Sequence, residues 1–109
     1  MQIFKTKEMV EYYFSEHPLG FEMTKQLFQS VKQIEEVKNS GFQDMKACVI
    51  LTDSDKELEL IYKRYGLSDT TLECKNTIKS GGISWIKQVH VIDDSGDGIV
   101  IFQKLETCT

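Results

Sequence analysis

The run from Val49 through Thr52 and Ser54 to Gly66 and Leu67 does most to limit what this chain can become. Met45 to Leu51 is almost continuously apolar, interrupted only by Lys46. A short run this apolar, bounded by turn residues, predicts a strand covered on both faces, as in a parallel or mixed central sheet. Ser54 and Glu57 stand three residues apart directly after it, the spacing of a capping box, and predict a helix start. Leu58, Ile61, Tyr62 and Tyr65 recur on one helical face, and Gly66 supplies the stop. A buried strand feeding an amphipathic helix places the chain among α+β or α/β architectures.

The flanks extend that frame. Lys5 to Glu16 reads as a helix with Thr6 as N-cap and an apolar stripe of Met9, Val10, Tyr13 and Phe14. His17-Pro18-Leu19-Gly20 breaks it, because proline disfavours helix in the residue before it. A second helix runs from about Phe21 to Asn39, with Leu27, Phe28, Val31 and Ile34 on one face and Gly41 as its stop. Beyond Gly66 the chain reads as strands: Thr71 to Ile78, a turn at Lys79-Ser80-Gly81-Gly82, Ile83 to Ile92, and Ile99 to Gln103. Asp93 to Gly98 is a hairpin connection. The expected order is ααβαβββ, a mixed sheet of about four strands with three helices. The 109 residues fit a single domain.

Charge removes some functions. Seventeen acids against 13 bases give a net charge of −4, and the bases are scattered among acids. That is the wrong distribution for a general nucleic-acid binder, which needs clustered Lys and Arg. No apolar run approaches membrane-spanning length. Cys48, Cys74 and Cys108 are odd in number and form no Cys-x-x-Cys, which argues against a disulfide framework or a zinc site. A reducing cytoplasm is the expected location. The loop from Asp93 begins like a calcium loop, but its twelfth position is Lys104 where a bidentate Glu belongs, and its flanks are strands. No metal is expected. His17 and His90 have no partner at a fixed catalytic spacing.

The helix ending Tyr62-Lys63-Arg64-Tyr65-Gly66-Leu67, after a strand and a Thr-Asp-Ser-Asp turn, resembles the Tyr-x-x-x-Gly-Phe segment of Gcn5-related N-acetyltransferases. The similarity covers about Leu19 to Ile78 and is nearest to the small divergent relatives found in phage genomes, where a strand lysine often follows; Lys75 fits that place. The family's Gly-rich turn would fall at His17-Pro18-Leu19-Gly20-Phe21-Glu22. His17 stands where the family has Arg or Gln, and Glu22 where it has a small residue. The resemblance implies a truncated acetyltransferase-like fold. It implies an acetyl-CoA pyrophosphate held at a helix start by the backbone of Gly20, Phe21 and Glu22. It also implies Tyr62 as the general acid that protonates the CoA thiolate, a suitable match for a phenol whose pKa lies near 10.

Three functions stay open. One is a small acetyltransferase that binds acetyl-CoA and acetylates an amine. The family's acceptor half is reduced here to one short helix, so the acceptor site would come from a partner or from the Ile83 to Gln103 hairpin. The second is a non-catalytic factor on the same fold, of phage or mobile-element type, that binds a host protein. The third is an unrelated small α+β subunit that forms a homodimer through its long helices or its last hairpin.

Overall fold

A computed structural model describes residues 1–39, 46–92 and 98–105. Gly41, Met45 and most of the loop read as calcium-like lie outside them. Within them the order is β1 (Gln2–Phe4), α1 (Lys7–Glu16), α2 (Phe21–Asn39), β2 (Cys48–Thr52), α3 (Asp55–Tyr65), β3 (Leu72–Ser80), β4 (Ile83–Val91) and β5 (Gly98–Lys104). The class is α+β, as expected, with five strands rather than four. The added strand is β1, which precedes the expected first helix.

The sheet order is β1-β2-β5-β4-β3. β5 returns to the centre and lies parallel to β2, with Val49 beside Val100 and Leu51 beside Phe102. All other pairs are antiparallel. Alternation along a strand sends successive side chains to opposite faces. Val49, Leu51, Val100 and Phe102 therefore meet Val10, Met23, Leu27 and Val31 of α1 and α2. Cys48, Ile50, Ile99 and Ile101 meet Ile61 of α3 and Leu67 beyond it on the other face. Two helices, a sheet and one helix form three layers, which is why β2 is buried along its whole length.

The local signals hold where they were strongest. Thr6 caps α1 by accepting from the Met9 N–H at 3.3 Å, and Ser54 caps α3 by accepting from Glu57 N–H at 3.3 Å. The Glu57 carboxylate does not close the box; it accepts from the Thr52 hydroxyl at 3.1 Å. Gly66 ends α3 at φ 66°, a left-handed conformation that costs glycine little. Gly81 and Gly82, at φ 61° and 78°, form the two-residue β3–β4 turn. One residue of the expected core stripe is corrected. Met9 is 44 % exposed. Val10, Tyr13 and Phe14 make the inward face of α1 at i, i+3 and i+4, which leaves Met9 on its flank. Trp85, in contrast, is core.

Candidate functional site

Gly20, Phe21 and Glu22 do come together at the start of α2, but the tip of the β3–β4 hairpin is packed against them. A Cβ on Gly20 would lie 2.3 Å from Ser80 Oγ and 2.9 Å from Gly81 N. Ser80 Oγ accepts a hydrogen bond from the Met23 N–H at 3.2 Å. One backbone donor of the first turn, which a pyrophosphate would need, is thus taken by a side chain 57 residues away. The Glu22 carboxylate accepts from Gln26 Nε2 at 3.1 Å, and Gln26 Oε1 accepts from Lys87 Nζ at 3.0 Å. Phe21 is 83 % exposed.

Tyr62 is elsewhere. It sits on the inner face of α3, in the core cluster on the opposite side of the sheet from α2. Its hydroxyl donates to Gln88 Oε1 of β4. The same oxygen is 2.8 Å from His90 Nε2, and His90 Nδ1 is 2.9 Å from Thr71 Oγ1. The rings of Tyr62 and His90 meet edge to face at 5.2 Å. Gln88 and His90 are buried, His90 completely. Burial pushes the Tyr62 phenol above its ordinary value and Asp69 adds to the rise, while the bond to Gln88 opposes it. Burial also pushes the His90 imidazole down. The network is a satisfied polar insert between helix and sheet. The sheet separates Tyr62 from Gly20, so the two halves of the expected acetyl-CoA site do not share one cleft. Lys75 is exposed on the edge strand β3.

An open concave surface lies at the other edge of the sheet. A groove of about 390 Å³ is lined by Gln2, Ile3 and Phe4 of β1 and by Glu8, Met9, Tyr12, Tyr13, Glu16 and His17 of α1 and its cap. Tyr12 is 71 % exposed. Tyr13 packs on Phe4 at 5.5 Å and on the His17 ring at 4.8 Å. Its phenol is pushed up by burial and then by the carboxylate of Asp53. Beyond Gln2, Tyr13 and His17 the groove continues into a second cleft of about 290 Å³, where Asp53, Lys104 and Trp85 stand near the carboxyl ends of the parallel pair β2 and β5. The sequence reading missed this surface. Its one visible signal was a pair of large apolar residues, Met9 and Tyr12, outside the Val10, Tyr13 and Phe14 face and interleaved with Lys7, Glu8, Glu11 and Glu16.

Among the described residues no group of His, Cys, Asp and Glu side chains is arranged to hold a metal ion, and no helix is long and apolar enough to cross a membrane. Comparison with family models, curated proteins and solved structures finds no match to this chain.

Proposed function

We propose that this chain is a non-catalytic protein-interaction module. The observation that carries the reading is the hydroxyl of Tyr62. It is bonded to Gln88 in a polar chain that continues through His90 to Thr71, with Gln88 and His90 buried and the two ends half-buried. To protonate a thiolate, Tyr62 would have to give up that bond, at a cost of about 0.5–1.5 kcal/mol, while Gln88 Oε1 keeps His90 Nε2 at 2.8 Å. The start of α2 supports the same reading, because Ser80 occupies the donor of Met23. Groups that a transferase would offer to a ligand serve here to hold the layers together.

What the chain offers instead is surface: Met9, Tyr12 and Phe21 are large, apolar and exposed. Titration of the purified full chain with acetyl-CoA by calorimetry, with desulfo-CoA and ATP as controls, tests the reading. No saturable heat is expected at millimolar ligand. Micromolar binding of acetyl-CoA that is lost in Tyr62→Phe would overturn it in favour of the transferase.

A further inference from the structure

We propose that the groove between β1 and α1 docks an extended segment of a partner protein with the pattern basic–x–apolar–x–basic, added as a strand outside β1. The inference rests on the interaction reading above and names its site and ligand class.

Three consecutive residues of β1 line the groove. Successive side chains of a strand point to opposite faces, so a groove touched by all three must run along the strand's edge rather than over a face. That edge is the end of the sheet: β1 pairs with β2 on one side, and among the described residues no strand pairs with its other side. An outer edge beside a helix is the geometry in which an added strand gains main-chain hydrogen bonds and places alternate side chains on the helix.

The lining selects the sequence of that strand. Among the described residues the charged side chains of the groove are Glu8 and Glu16, and no lysine or arginine lines it. These two carboxylates are eight positions apart on α1, which is about 12 Å. An extended chain covers that distance in about four residues. Positions i, i+2 and i+4 of a strand share one face. Basic residues at i and i+4 therefore reach the two carboxylates, while the residue between them lies over the exposed Met9 and Tyr12. A chain of net charge −4 adds long-range attraction for such a segment.

The test uses isotope-labelled full chain and two synthetic heptapeptides, Thr-Arg-Thr-Ile-Thr-Arg-Thr and the same peptide with Glu for Arg, titrated to millimolar and followed by amide shifts. The basic peptide is expected to move the amides of Gln2, Ile3, Phe4, Met9 and Tyr12, and the acidic one to leave them in place. Tyr12→Ala should weaken binding by about tenfold, and the double variant Glu8→Lys, Glu16→Lys should reverse the preference between peptides. The proposal is overturned if both peptides bind alike, if the shifts map to another surface, or if neither peptide binds at millimolar. Those failures leave the interaction reading intact, since only binding of acetyl-CoA bears against it.

Discussion

Ser80, at the tip of the β3–β4 hairpin, accepts a hydrogen bond from the backbone N–H of Met23 in the first turn of α2, at 3.2 Å and out of contact with water. The hairpin thus supplies the helix with a cap that the helix's own sequence lacks, since Gly20 has no side chain to accept one. Ser80→Ala removes the acceptor and leaves a buried N–H unpaired. The expected loss is about 1–2 kcal/mol of folding stability. Urea unfolding measures it; an unchanged midpoint would mean that another group caps α2.

Gly20 is set by the same contact. An added Cβ would meet Ser80 Oγ at 2.3 Å, Gly81 N at 2.9 Å and the Ser80 carbonyl carbon at 3.1 Å. Gly20→Ala must move the hairpin and should cost about 1–3 kcal/mol, as overpacking does. Ser80→Ala relieves the closest of the three contacts and not the two to backbone. The double variant should therefore lose less than the sum of the single ones, and a strictly additive cycle would contradict the contact.

His90 gives the fold a pH dependence with a defined sign. Burial lowers its pKa in the folded state below the unfolded value, which is about 6.5. As pH falls through that value the unfolded chain takes up a proton that the folded chain refuses, so unfolding becomes easier. The stability that neutral His90 contributes is fully present above pH of about 6.5 and is lost as pH drops towards the lowered folded pKa. Stability from urea curves should decline between pH 7 and 5, and His90→Asn should flatten that decline whatever its effect at pH 7. An equal slope in the variant would assign the acid sensitivity to other groups.

What the sequence showed depended on distance along the chain. The caps at Thr6 and Ser54, the stop at Gly66 and the two-glycine turn all lie within four residues of what they act on. All were legible. β1 was not, because Gln2-Ile3-Phe4 is too short to show alternation and is a strand only through its pairing with Val49, Ile50 and Leu51. The insertion of β5 beside β2 was hidden too: the apolar run marked β2 as a central strand, but nothing local names Ile99 as the parallel neighbour of Cys48. The candidate site followed suit. Gly20 and Tyr62 were correctly placed on a helix start and a helix face, yet their partners, Ser80 and Gln88, are 60 and 26 residues away. The resemblance assigned both residues to a ligand, and it carried no sign of these contacts within the chain.

Gly66 isolates backbone strain from packing. It ends α3 at φ 66°, and nothing lies within 4 Å of the place where a Cβ would stand. Any penalty of substitution is therefore conformational. Gly66→Ala should cost about 1 kcal/mol, and Gly66→Asn less, because Asn tolerates the left-handed region. Thermal unfolding of the two variants would show the order; equal losses would point to a contact rather than to φ.

The shared oxygen of Gln88 gives the most discriminating test of how Tyr62 is used. Gln88 Oε1 accepts from the Tyr62 hydroxyl and lies 2.8 Å from His90 Nε2, all within the buried layer between α3 and β4. Tyr62→Phe removes one donor and keeps the ring against His90, so it should cost about 0.5–1.5 kcal/mol. Gln88→Leu removes the common acceptor and strands both partners, which should cost about 2–4 kcal/mol. In the Gln88→Leu background the Tyr62 hydroxyl has lost its acceptor, and replacing Tyr62 by Phe should then cost nothing or restore some stability. That change of sign is what a structural tyrosine produces. An equal loss in both backgrounds would mean that the hydroxyl draws no stability from Gln88 and would contradict the bond.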